Sequence, residues 1–128
     1  MKLFINEKTY ATDQDFDNFL NMTREFQTIN LLNSPFIVYV YGIAYSIEND
    51  QITLGIVEEL VEMDLSHFLQ EKREVLSLDE KVNIAINITN GLLEIHHKNF
   101  VHHDIKPANI LITKKGNEFE IKITDFGT

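Results

Sequence analysis

Eight residues constrain this chain more than any other stretch: His102-His103-Asp104-Ile105-Lys106-Pro107-Ala108-Asn109. Pro107 fixes its own φ and lacks an N–H, so regular structure stops there. Ile110-Leu111-Ile112-Thr113 behind it reads as a strand. Ile121-Lys122-Ile123-Thr124 reads as a second short strand, and it delivers Asp125, Phe126 and Gly127. A loop bearing a carboxylate (Asp104), a cation (Lys106) and an amide (Asn109) is thereby followed, across a strand pair, by a second carboxylate. These are the parts that hold Mg²⁺ and a polyphosphate beside a hydroxyl nucleophile. Each is weak evidence alone. A plain surface turn capped by Asp104 would leave Lys106, Pro107, Asn109 and Asp125 as unrelated coincidences.

In that order and wording, His-x-Asp-x-Lys-Pro-x-Asn-Ile-Leu-Ile and then Asp-Phe-Gly, the chain resembles a eukaryotic protein kinase. Lys106 is typical of the Ser/Thr-directed members, and a tyrosine-kinase-like flavour stays open. Phosphotransferases of the aminoglycoside or choline type also place an Asn soon after a loop Asp. Asp104-Ile-Lys-Pro and Phe126-Gly127 favour the protein kinases.

Composition narrows the partners. The 128 residues suit one domain or part of a larger one, and 44% hydrophobic content can build a core. Eleven Lys+Arg against 20 Asp+Glu give a formal charge of −9. That argues against nucleic acid or an anionic membrane as partner, and leaves a basic peptide or metal-masked nucleotide acceptable. The chain has no cysteine, which excludes disulfides and thiolate chemistry and fits a cytoplasmic location. No signal peptide is visible, and the longest apolar run, Phe36–Ala44, is too short to span a bilayer.

Read in order, Lys2-Leu3-Phe4-Ile5 begins in mid-strand. Thr12 is expected to cap a helix with Asp13 and Asp15 in its first turn, and Asn33-Ser34-Pro35 to end it. Phe19, Met22, Phe26 and Ile29 recur at helical spacing, with Glu25 at the edge of that face. A carboxylate aimed at a core interface is costly unless a cation meets it. Phe36–Ser46 and Gln51–Leu60 form an expected antiparallel pair across the turn Glu48-Asn49-Asp50. Asp64–Lys72 reads as a short helix. Ser77 and Glu80 make a capping box for a longer helix running to about His97. Val82, Ala85, Ile86, Leu92 and Leu93 make one apolar stripe on it, and Ile84, Ile88 and Ile95 another, so burial on more than one side is expected. The pairs His96-His97 and His102-His103 lack any Cys or HExxH helper, and zinc is not expected.

The resemblance implies an α+β fold: a small antiparallel sheet lobe with one helix over residues 1–62, then the start of a helical lobe over 63–128. It implies a partial domain, cut at both ends. It also implies ATP and Mg²⁺ as cofactors, a protein substrate, and phosphoryl transfer to a serine or threonine hydroxyl. Asp104 would be the base and Lys106 the group steadying the transferred phosphoryl. Asn109 and Asp125 would be the metal ligands. Lys2 would grip the α- and β-phosphates and pair with Glu25. Backbone groups of Glu59 and Val61 would receive the adenine over a floor that includes Leu111. His102 would brace the loop from beneath. Two departures stand out. Glu58 falls at the pocket-lining position before the hinge, where the family carries a neutral or apolar side chain, and this works against ordinary ATP affinity. His103 replaces an Arg that many members pair with a phosphorylated segment, and a neutral imidazole lacks that permanent charge. A non-catalytic kinase-like binding module and a small-molecule phosphotransferase remain as alternatives.

Overall fold

The computed structural model describes residues 3–10, 14–72 and 74–126. Three strands form an antiparallel sheet in the order β1-β3-β2: β1 (Leu3–Tyr10), β2 (Val40–Glu48) and β3 (Gln51–Glu59). Pairing runs from Leu3↔Glu59 to Tyr10↔Ile52 on one side of β3, and from Val40↔Glu58 to Glu48↔Gln51 on the other. Asn49 and Asp50 both take positive φ (51° and 60°), the backbone a tight hairpin turn needs, and Asn and Asp tolerate it best. On β3, Leu54 and Ile56 alternate onto the core face.

Helix α1 (Gln14–Leu32) buries Met22, Ile29 and Leu32 against that face. Phe19, expected on the same stripe, is 41% exposed and does not belong to it. The expected cap at Thr12 and Asp13 lies outside the described residues. Asn33 (φ 36°) ends the helix by donating its N–H to Ile29 O at 3.1 Å. Lys98 Nζ then donates to Leu32 O, and Ser34 Oγ to a Glu94 carboxylate oxygen. A cation at the negative end of the helix dipole is favourable.

The expected strand from Phe36 starts later, at Val40. Phe36 to Val38 turn instead toward the second sheet: Ile123 N donates to Phe36 O at 2.7 Å, and Val38 N to Ile123 O at 3.0 Å. A continuous apolar run cannot distinguish these two fates.

Helix α2 (Leu65–Lys72) starts at Asp64, whose Oδ1 accepts the His67 N–H at 2.9 Å. Helix α3 (Leu78–His97) has Ser77 as its cap, with Oγ accepting Glu80 N at 3.1 Å. Only one side of α3 is buried. Ile84 and Ile95 pack inward with Ile88 beside them, whereas Val82, Ile86 and Leu93 are exposed among the described residues. The inward side lies on the hairpin of β4 (Ile110–Lys115) and β5 (Glu118–Ile123), so closely that a Cβ at Gly91 would come within 2.9 Å of Ile123 Cδ1. One continuous core runs from Met22 through Leu54 and Ile95 to Ile123. Each fully buried aliphatic there contributes about 1.5–3 kcal/mol. No helix among the described residues is long and apolar enough to cross a membrane.

Candidate functional site

The loop between α3 and β4 is held by its own polar groups. His102 is 2% exposed, and its Nε2 lies 2.7 Å from Thr124 O, while its Nδ1 accepts the Asp104 N–H at 3.1 Å. A carbonyl can only accept, so the neutral ring must carry its proton on Nε2. One buried imidazole thus joins the loop to the residue preceding Asp125. Phe126 packs edge-on against that ring, with centroids 4.5 Å apart.

Pro107–Asn109 makes one 3-10 turn, which swings Asn109 inward. The buried Asn109 donates from Nδ2 to Asp104 O (3.0 Å) and Asp104 Oδ2 (3.1 Å). Both bonds use the amide nitrogen, which leaves Oδ1 for a cation. Thr124 N donates to Asn109 O at 3.0 Å, so Asp125 begins one residue beyond the main-chain partner of Asn109. Lys106 Nζ stands 3.4 Å from Asp104 Oδ2. Oδ2 is therefore engaged by amide and ammonium, and Oδ1 of Asp104 has no partner among the described residues. The structure brings Asp104, Lys106, Asn109 and the approach to Asp125 together. His103 and Asp125 both take positive φ (72° and 67°), a costly conformation for residues that are not glycine.

No cluster of three or more His, Cys, Asp or Glu side chains suited to a metal occurs among the described residues. The residues expected to hold a metal, Asn109 and Asp125, offer one amide oxygen and one carboxylate. That donor chemistry would suit Mg²⁺, which takes few protein ligands and keeps water or phosphate oxygens for the rest.

Glu59, Leu60, Val61 and Leu111 line one cavity of about 270 Å³, together with Thr113, Lys115, Glu120 and Lys122. Three of the expected base-site residues thus share a space. Leu60 and Val61 lie beyond the end of β3, and among the described residues no main-chain partner meets them. Met63 O accepts the Ile112 N–H at 2.9 Å, and Asp64 bridges Leu111, which ties this connector to β4. The side chain of Glu59 turns away to Tyr39 N (2.8 Å) and Lys122 Nζ (2.7 Å). Nothing in the local sequence marks those contacts, because the partners are far apart along the chain.

Glu58 shares the parity of Leu54 and Ile56 on β3 and so lies on the core face, half-buried. Burial pushes its carboxyl up to about 7, and the charges of Glu25, Asp125 and Glu59 add to that. Glu25 is 8% exposed on α1. Lys2, its expected partner, and Gly127 lie outside the described residues.

Comparison with known proteins agrees with this geometry. The family model described as "Protein kinase domain" matches residues 2–128. The chain is 37% identical over 114 residues (88% of this chain, 10% of the relative) to "Probable serine/threonine-protein kinase kinX" of Dictyostelium discoideum. It is 36% identical over 118 residues (92% and 17%) to "Serine/threonine-protein kinase PrkC" of Bacillus subtilis. It is 48% identical over 65 residues (49% and 7%) to "Mitosis inhibitor protein kinase wee1" of Schizosaccharomyces pombe. The chain therefore spans less than a fifth of the length of these curated relatives, 17% at most.

Proposed function

We propose, from the premise that this chain belongs to the protein kinase family, that its cleft serves transfer of the ATP γ-phosphoryl group to a serine or threonine hydroxyl of a protein. The observation that carries this reading is the state of Asp104: one carboxylate oxygen is held by Asn109 and Lys106, and the other has no partner among the described residues. In the reaction the substrate oxygen bonds to phosphorus, the bond from phosphorus to the ADP oxygen breaks, and the hydroxyl proton passes to Asp104. Asn109 orients that carboxylate, and Lys106 sets a positive charge beside the transferred group. Bound Mg²⁺ supplies charge neutralisation on the phosphate oxygens. Asn109 Oδ1 and Asp125 are the groups that would hold it.

On this reading Lys2 and Glu25 form the phosphate-gripping pair, and the main chain at Glu59 and Val61 takes the adenine above Leu111. Residues 1–62 and 63–128 then belong to the two lobes that enclose the nucleotide, in a cytoplasmic protein that acts on protein substrates. Kinases as a family use ATP with Mg²⁺, which supports both cofactors here. The test is Mg-ATP-dependent thermal stabilisation together with labelling of a peptide. Asp104→Asn should keep the stabilisation and lose the labelling. Labelling of a metabolite in place of peptide would overturn the reading in favour of a small-molecule phosphotransferase.

One observation favours a second reading, a kinase-like module without catalysis. Glu58 places a carboxyl near Asp125, and no hydrogen-bond donor relieves it among the described residues. Absence of Mg-ATP binding at any pH would support that module.

A further inference from the structure

Resting on the nucleotide reading above, we propose that Lys122 and Glu59 are a positioning pair: their contact sets the gap between the connector Glu59–Val61 and β4, and through it the affinity for the base.

Glu59 is the last residue of β3, where the chain leaves the ladder. Its N–H donates to Tyr39 O at 2.9 Å, and its Oε1 accepts the Tyr39 N–H at 2.8 Å and meets Lys122 Nζ at 2.7 Å. Lys122 pairs with Leu111 across the hairpin. Glu59 with Leu60 and Val61 from the connector, and Lys122 with Leu111 from the hairpin, therefore line the same 270 Å³ cavity. The pair is also the most shielded ion pair among the described residues, with side chains 20% and 25% exposed. Lys115–Glu120 on the same hairpin, at 71% and 38%, is open to solvent. Shielding is what lets an ion pair do more than decorate a surface, because breaking it leaves a poorly solvated carboxylate.

The two ends of this contact are unequally held. Beyond Lys122, Ile123 is bonded to Phe36 and Val38, and Thr124 to Asn109 and His102, so β5 cannot shift freely. On the connector, Met63 and Asp64 are tied to Ile112 and Leu111, but Leu60 and Val61 between them and Glu59 have no such main-chain bonds among the described residues. Loss of the pair must then be absorbed on the connector side. The base site moves, and the approach to Asp125 stays.

Adenosine and Mg²⁺-tripolyphosphate, each competed against a fluorescent ATP analogue on the full chain, separate those two ends. Lys122→Met should weaken adenosine about fivefold and leave Mg²⁺-tripolyphosphate unchanged. Lys122→Arg should restore adenosine binding. Adding Glu59→Gln, whose amide oxygen can still accept from Tyr39 N, to Lys122→Met should cost nothing further, as expected for two members of one contact. Unchanged adenosine affinity in Lys122→Met overturns the proposal, and so does equal weakening of both probes, which marks a general structural loss. A wild-type chain that binds neither probe overturns the nucleotide reading itself, and this proposal with it.

Discussion

The loop around Asp104 and the wall around Glu58 are built in opposite ways. In the loop, His102, Asp104, Lys106 and Asn109 all lie within eight residues and meet one another. Its long-range contacts, from His102 to Thr124 and Phe126 and from Asn109 to Thr124, complete the set. At the wall, Glu58 owes its surroundings to α1, β3 and the end of β5, and they supply negative charge where a donor is wanted. The loop is thus a network whose polar groups engage one another and leave two oxygens open, and the wall holds a frustrated group. A network of paired groups rigidifies its surroundings, whereas a lone buried carboxyl costs stability.

The largest effect that could break this contrast is Asp125→Ala. It should abolish the Mg-dependent part of the nucleotide-induced melting shift, and it adds backbone strain, because alanine tolerates φ 67° less well than aspartate. A shift that survives the substitution removes Asp125 from the metal set. Next comes His102→Ala, which deletes two hydrogen bonds and an aromatic contact at a fully buried position. Urea unfolding should show a loss of about 3 kcal/mol; a loss under about 1 kcal/mol would mean that the loop needs no brace.

Glu58→Gln should act in the other direction, and only at high pH. The folded-state carboxyl is raised from 4.5 to about 7, so folding favours its protonated form. That stability is fully present below pH 4.5 and is lost as pH rises through about 7. The variant should gain on the order of 2 kcal/mol over wild type at pH 8, after discounting for solvent screening, and almost nothing near pH 4.5. A pH-independent difference would show that Glu58 is not the frustrated group. The smallest effect is Ser77→Ala, far from both regions, at about 1 kcal/mol from the lost cap. It serves as the reference for an ordinary local contact.

The same contrast explains what could be read from the sequence. The loop was legible because its partners are near neighbours in sequence and their order matches a protein kinase motif, although each residue alone says little. Ser77 was legible from its near neighbours too, as was the Asn49-Asp50 turn. Regions assembled from distant strands were harder. The apolar run at Phe36 looked like strand from its first residue, yet Phe36 and Val38 bond to Ile123, a partner no periodicity reveals. The stripe of Val82, Ile86 and Leu93 on α3 reads as ready for burial, but only the side carrying Ile84 and Ile95 is covered among the described residues. Glu58 was identified as a departure by its place before the hinge. The neighbours that perturb it, and the turn of Glu59 toward Lys122, needed three dimensions.

One consequence concerns the far end of α1. Lys98 and Glu94 bolt Leu32 and Ser34 to α3, so any tilt of α1 has its fulcrum at the Leu32 end. From there to Glu25 is about 10 Å of helix at roughly 1.5 Å per residue. A swing of about 10° on that arm would carry the Glu25 backbone by roughly 2 Å, enough to make or break an ion pair, given that useful N···O separations end near about 4 Å. Small rotations about a bolted heel are therefore magnified where the carboxylate sits.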